Sequence, residues 1–330
     1  MEDRRRNTPE TKGREMRSQG IGEELEDIFS EITFEGDVKF MEPMMNHTSL
    51  RIGGPADVFV VPQNLSSLKT IMVTLNRKKI PFFVLGGGTN ILVKDSGIEG
   101  VVISLTSFRK IETVSENETE VKVYVETGTP LQRLVNFSKE RGYSGMEGLA
   151  GIPGSVGGAI SGNAGAYGYE MKDVLVSVSM MDSEGNIRNL GIENIDFGYR
   201  RSGISSTELL LSAEILFKKD SKEHVSAKIE TFLKRKWESQ PFSGHSAGCV
   251  FKNPHGLSAG KLIDEAGCKG LRIGDVEVSN THANFFINKG KANASDFIRL
   301  MEEVRSRVFE VSGIRLEPEI RIVGRDEVQS

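Results

Sequence analysis

The chain has 330 residues, 38% hydrophobic and 27% charged, an ordinary balance for a soluble globular protein of two or three domains. A net charge of −4 and a pI near 5.9 argue against a nucleic-acid footprint, so an anionic ligand must be held by local groups rather than by the overall field. Two cysteines, Cys249 and Cys268, make no disulfide framework and suit a reducing cytosol; no apolar run reaches the length of a membrane span, and Arg4, Arg5 and Arg6 precede no apolar signal core.

Residues 1–19 are polar and lack aromatics, which predicts a disordered tail. Ile21, Leu25, Ile28, Phe29 and Ile32 then recur at helical spacing. Gly53-Gly54-Pro55 turns into a buried strand at Val58–Val61, and Leu65, Leu68, Ile71, Met72 and Leu75 make one helix face. Pro81–Leu85 reads as a strand running into Gly86-Gly87-Gly88-Thr89-Asn90, with another strand at Ile91–Val93. This is a βαβ-like unit with a phosphate-binding corner. The spacing is not G-x-G-x-x-G and no helix pattern follows, which disfavours a nicotinamide-type Rossmann site; a Walker A is also absent.

Strands follow at Val101–Leu105 and Val121–Val125, and Thr129 with Pro130 predicts the start of a helix that Gly142 ends. Val174–Met181, Ile187–Leu190 and Leu209–Phe217 read as an antiparallel sheet with a turn at 183–186. Charge accumulates at 218–222, which suggests a domain boundary there. Beyond it, Val225, Ile229, Phe232, Leu233 and Trp237 mark a helix; 240–254 is a loop; Ser258 caps a short helix; 284–288 holds a strand; Phe297 to Val311 makes a last helix face; and Ile314–Val323 is extended.

The most informative stretch is Glu147–Gly168, EGLAGIPGSVGGAISGNAGAYG, with eight glycines, no Lys or Arg and one acid. Glycine lets backbone N–H groups approach a ligand closely, and a row of amides can cradle a pyrophosphate without formal positive charge. Leu149, Ile152, Val156, Ile160 and Tyr167 are interleaved and want burial, so a packed loop is favoured over a flexible linker.

Taken in order, 46–62, 81–95, 148–168, 197–203, 247–254, 281–288 and 316–324 resemble the UDP-N-acetylenolpyruvoylglucosamine reductase family in its compact subtype, over roughly residues 35–324. The resemblance implies an α+β fold: a bipartite FAD-binding domain of the vanillyl-alcohol-oxidase type (20–217, divided near 100) and a smaller α+β substrate-binding domain (218–312). A C-terminal strand and tail (313–330) carries a catalytic Glu. It implies non-covalent FAD, NADPH as co-substrate, a UDP-sugar enolpyruvyl ether as substrate, and a cytoplasmic enzyme of peptidoglycan precursor synthesis with no nucleic-acid partner. Hydride would pass from NADPH to the flavin and from flavin N5 to the vinyl carbon.

Cofactor contacts are implied for Arg51, Gly86, Gly87, Gly88, Thr89, Asn90, Ile152, Pro153, Gly154, Ser155, Gly157, Gly158, Asn163, Gly165 and Ala166, although Thr89 and Asn90 are also ordinary turn residues. Arg200 in FGYRRS matches the enolate-stabilising arginine, with Arg201 as a surface neighbour. Glu319 in LEPEIR matches the second polarising group. A carboxyl in that role must be neutral or paired with a cation, and Glu317 on the same strand face is separated from it only by register. Cys249 in SAGCVFKNP stands where many members carry a serine proton donor; a thiol also offers one proton, and its exposure would make it sensitive to peroxide. Tyr199, Lys252, Asn253 and His282 are implied substrate contacts, with a solvated lysine and a satisfied core histidine as the bland alternatives. His47 and Cys268 read as structural, and His245 has no convincing partner.

Overall fold

A computed structural model describes residues 23–326 except 206, 242 and 243, so the predicted N-terminal tail lies outside the described residues. The described residues begin with a helix at 23–31 (α1), whose Leu25 and Phe29 are buried. It continues through β1 (Gly36–Pro43), β2 (Pro55–Pro62), α2 (Leu65–Lys78), β3 (Phe82–Leu85), β4 (Ile91–Val93) and β5 (Ile98–Ser104). β5 lies between β2 and β3 and runs parallel to both, while β1 pairs antiparallel on the outer edge of β2. Helix α2 starts where the Asn64 side chain accepts the Ser67 N–H and ends at Lys79 in the left-handed region. Its Leu68, Ile71, Met72 and Leu75 cover Val58, Val60, Val101 and Ile103.

The second lobe contains β6 (Ile111–Glu116), β7 (Glu120–Glu126), α3 (Leu131–Arg141), β8 (Tyr143–Ser144), α4 (Val156–Ser161), β9 (Gly165–Ala166), β10 (Tyr169–Glu170), β11 (Leu175–Met181), β12 (Ile187–Gly191), β13 (Leu209–Lys219) and α5 (Lys222–Ser239). An antiparallel sheet runs β12-β11-β13-β7-β6, with β8 pairing β13. The alternation of β7 turns Val121, Val123 and Val125 into a core shared with α3, α4 and α5. The last part holds α6 (Ala259–Glu265), β14 (Arg272–Ile273), β15 (Val276–Val278), β16 (Phe286–Asn288), α7 (Ala294–Ser312) and β17 (Arg321–Val323). α7 buries Phe297, Leu300, Met301, Val304 and Val308, and Gly313 at φ 72° stops it. Among the described residues no helix is long and apolar enough to cross a membrane.

Several expectations need correction. β1 and β6 have no clear apolar alternation because both are edge strands left largely exposed. α4 contains two glycines within its six residues, and only the Ser155 cap announces it. Helix α3 starts at Leu131: Pro130 is extended at ψ 130°, and the buried Thr129 hydroxyl has no partner instead of capping. The division near residue 100 cuts through β5, which is integral to the first sheet. α5 packs Val225 and Ile229 into the β7–β13 core, so the charged stretch 218–222 lies inside the second lobe.

The C-terminal segment returns to the first lobe. β17 pairs parallel with β4, and beyond it the Arg325 guanidinium reaches the buried carboxylate of Asp57, whose other oxygen accepts the Gly100 N–H at 2.9 Å. Ser96 Oγ donates to the Arg325 carbonyl at 2.7 Å. Removing one partner strands a poorly solvated charge. Asp57→Ala is expected to lower unfolding stability by about 3 kcal/mol, read by denaturant titration, whereas Arg201→Ala on an exposed pair should change it by under about 1 kcal/mol.

Candidate active site

The two glycine loops are in direct backbone contact. A Cβ on Gly87 would sit 2.5 Å from the Gly154 Cα, one on Gly86 would sit 2.8 Å from Ser155 Oγ, and one on Gly88 would sit 2.0 Å from the His47 carbonyl oxygen. Thr89 Oγ1 donates to the Pro153 carbonyl at 3.3 Å and links the loops across their tips. No side chain fits between them, so this approach needs glycine.

Among the described residues, the N–H groups of Gly87, Gly88, Thr89, Gly154 and Ser155 have no protein acceptor. They form the available cradle, which is narrower than expected. Ile152 donates to Leu149, Gly157 to the Thr127 carbonyl, and Gly158 to Ser155 Oγ; Pro153 has no N–H. Gly157 serves packing, since a Cβ there would lie 2.8 Å from Thr127 Cβ. Two asparagines also have internal duties. Asn90 Nδ2 donates to the Glu319 carbonyl at 3.2 Å. Asn163 is fully buried; its Nδ2 donates to Glu170 Oε2 at 3.0 Å and to the Gly198 carbonyl at 3.1 Å, and its Oδ1 accepts the Lys172 N–H. Asn163 therefore holds the loop that carries Arg200. Ala166 pairs Tyr169 in the β9–β10 hairpin.

Arg200 sits at φ 55°, a conformation that directs its side chain under the glycine stretch, where Nη2 donates to the Gly165 carbonyl at 2.9 Å. Its Nε lies 2.8 Å from Glu319 Oε1, but the N–H is not aimed at that oxygen. The contact is an ion pair with an unaligned donor. Burial pushes the Glu319 carboxyl above the ordinary range, and Arg200 pulls it back down. Glu317 faces solvent, with 77% of its side chain exposed against 17% for Glu319, so the two do not share a strand face as expected; both precede β17, in irregular backbone. Arg201 forms an exposed pair with Asp196.

Cys249 joins this pair from a third segment. The next residue, Val250, accepts the Glu319 N–H at 2.8 Å. Buried Asn284 clamps the loop by accepting the Phe251 N–H at 2.9 Å and donating to the Phe251 carbonyl at 2.7 Å. Cys249 is partly buried, and desolvation, reinforced by the negative charge of Glu319, pushes the thiol up to about 12. It keeps its proton at neutral pH, the form a proton donor needs. Tyr199 is half exposed, and its Oη accepts the Asn253 N–H at 3.4 Å. Lys252 Nζ lies 3.6 Å from exposed Glu317, a weak screened pair that leaves it available. Asn253 Oδ1 accepts the Ala259 N–H at the start of α6, and His282 Nδ1 accepts the Asn284 N–H at 3.3 Å, so both have structural work. Burial pushes His282 down, holding it neutral. His47 stacks on Phe59 and pairs with Glu42, and Cys268 is buried, as expected of structural residues.

The family model described as UDP-N-acetylenolpyruvoylglucosamine reductase, C-terminal domain, matches residues 240–323, and one described as FAD binding domain matches residues 56–191. A UDP-N-acetylenolpyruvoylglucosamine reductase from Syntrophus aciditrophicus is 40% identical over 291 residues, 88% of this chain and 93% of that protein. One from Caldanaerobacter subterraneus is 43% identical over 305 residues, 92% of this chain and 99% of its own length. The chain belongs to the UDP-N-acetylenolpyruvoylglucosamine reductase family. The crystal structure of the reductase from Thermus caldophilus superposes with a TM-score of 0.75 at 33% identity, covering 88% of this chain and 99% of that one. This reductase is thus an FAD-dependent oxidoreductase with NADPH as co-substrate, built on an FAD-binding domain within a mixed α+β fold.

The residues present fit FAD. A cavity of about 430 Å³ opens beside the first glycine loop, lined by Ser49, Arg51, Gly86, Gly87 and Thr106 among others, and the buried Ser49 hydroxyl has no partner among the described residues. Gly87→Ala is expected to abolish flavin retention, because its Cβ meets backbone rather than a movable side chain; the absorbance ratio of purified protein reads this.

The glycine stretch has no cation of its own, but tertiary structure brings one. Lys236 of α5 is 3% exposed, donates to the Ala150 carbonyl at 2.5 Å and lies 5.8 Å from the Tyr167 ring centroid. Burial lowers it from 10.5 to about 8. Between these values the unfolded chain binds the proton and the folded one does not, so stability rises as pH rises from about 8 to 10.5. Up to about 3 kcal/mol of that rise should disappear in Lys236→Met, measured by unfolding at matched ionic strength.

Proposed function

We propose that this reductase converts the enolpyruvyl ether of UDP-N-acetylglucosamine to UDP-N-acetylmuramate, with Arg200 and Glu319 stabilising the enolate and Cys249 protonating it. The observation that supports the residue roles is the proximity of Arg200, Glu319 and Cys249, which come from three distant segments, with Arg200 anchored at the Gly165 carbonyl of the second glycine stretch. The reaction serves peptidoglycan precursor synthesis, and we place it in the cytoplasm, where NADPH is regenerated.

The amides of Gly87, Gly88, Thr89, Gly154 and Ser155 would hold FAD, which would supply the vinyl carbon with a hydride drawn from NADPH. The protein's part is to manage the charge that follows. Negative charge builds on the carbon next to the carboxylate and spreads into that group. The Arg200 guanidinium suits a carboxylate, and with Nε buried beside Glu319 its terminal nitrogens are the donors left to meet one. Glu319, paired with that cation, holds the guanidinium in place; burial raises its pKa and the Arg200 charge offsets part of the rise. The Cys249 thiol then gives its proton to the carbon, and solvent reprotonates the thiolate. Tyr199 and Lys252, at the open side of the cleft, hold the sugar nucleotide, with Lys252 suited to its diphosphate.

The test is an anaerobic spectrum. NADPH should bleach the flavin, and the enolpyruvyl sugar nucleotide should restore its colour without air. Recolouring only by oxygen would identify an oxidase, and no bleaching would identify a binding module. Cys249→Ala should bleach at the wild-type rate but recolour about 10²- to 10⁴-fold more slowly, the usual contribution of a positioned acid; Cys249→Ser should restore most of the rate. Because the thiol titrates only near 12, recolouring by the wild type should show no Cys249-dependent loss up to about pH 10.

A further inference from the structure

His245 belongs to the C-terminal part of the chain, yet it lines the cavity beside the first glycine loop, together with Ser49, Arg51, Gly86 and Gly87. Its position is set by a buried asparagine. The Asn288 N–H donates to the His245 carbonyl at 2.9 Å, and the Asn288 side-chain Nδ2 donates at 2.9 Å to the carbonyl of Leu50, the residue between Ser49 and Arg51. Asn288 Oδ1 accepts the Gly290 and Ala292 N–H groups, so this side chain is fully engaged and the two chain segments are locked together. The His245 backbone is thereby fixed, and the residue, itself exposed, lines the same cavity as Ser49, whose buried hydroxyl has no partner among the described residues, and Arg51, whose guanidinium makes there one long hydrogen bond, 3.5 Å to the Asn46 carbonyl.

Three hydrogen-bonding groups without strong protein partners therefore share a cavity floored by glycine backbone. Donors from a guanidinium, an imidazole and a hydroxyl, with free amides at Gly87 and Gly88, match a phosphoryl group. We propose that His245 is a phosphoryl ligand of the flavin dinucleotide, extended from the C-terminal domain over the glycine loop, so that the cofactor is gripped by both domains. This rests on the FAD-dependent reading above. It assigns to the C-terminal domain a part in retaining the cofactor, beyond its part in the chemistry.

The test is a titration of flavin-stripped full-length protein with FAD and, separately, with riboflavin, which lacks phosphate. His245→Ala should weaken FAD about tenfold or more, the size of one charge-assisted hydrogen bond, and leave riboflavin within about twofold. His245→Gln, which keeps a donor of similar reach, should recover part of the FAD affinity. Unchanged FAD affinity in His245→Ala overturns the proposal. Equal weakening of FAD and riboflavin also overturns it, since the side chain would then act by packing. A raised KM for NADPH with unchanged FAD affinity would assign the phosphoryl group to the nicotinamide nucleotide and overturn it as well. Wild-type protein that binds no flavin would overturn the FAD reading itself, whatever the variants do.

Discussion

The structure depends on a charge pair at the seam between its halves, Arg200 with Glu319. At 2.8 Å and an intermediate effective dielectric, the gross attraction is about 6 kcal/mol. Desolvation of two mostly buried groups offsets much of this. The pair is better understood as a positioning device than as a source of stability. Arg200 is also anchored at the Gly165 carbonyl, and Glu319 hangs between the Val250 carbonyl and the Asn90 amide. A guanidinium so held presents its remaining donors to the cleft without reorganising, which is the condition under which fixed dipoles stabilise developing charge.

That arrangement turns the C-terminal strap into a functional element. Leu316 and Ile320 are buried, Pro318 bridges Phe251, and β17 continues onto β4 before Arg325 meets Asp57. Each contact fixes register. A shift by two residues would offer Glu317 in place of Glu319. The strap therefore decides which carboxyl meets Arg200. Asn284 does the equivalent work for Cys249 through its paired bonds to Phe251, and Asn163 does it for Arg200 through Gly198.

Much of this was legible in the chain. The interior elements were, because buried strands and amphipathic helices must repeat at 2 or 3.6 residues. The edge strands β1 and β6 were not, because solvent on both faces removes the repeat. The glycine loops announced close backbone approach, yet which amides stay available followed from contacts with Thr127, Leu149 and Ser155 that no local pattern encodes. Asn90, Asn163 and Asn253 stand in ligand-like motifs and also hydrogen-bond the protein's own backbone, a duty no local pattern announced.

Residue types and their order determined what chemistry is available: glycine where only backbone can pass, and one arginine, one carboxyl and one thiol in recognisable settings. Tertiary structure alone decided their ionisation and company. It partly buried Cys249 and Glu319 so that both hold protons more tightly, slid Lys236 beneath a glycine run that has no charge of its own, and carried His245 across to the other half of the molecule. The reason is that desolvation and Coulomb interactions depend on distances through space, which residues far apart in the chain acquire only when it folds.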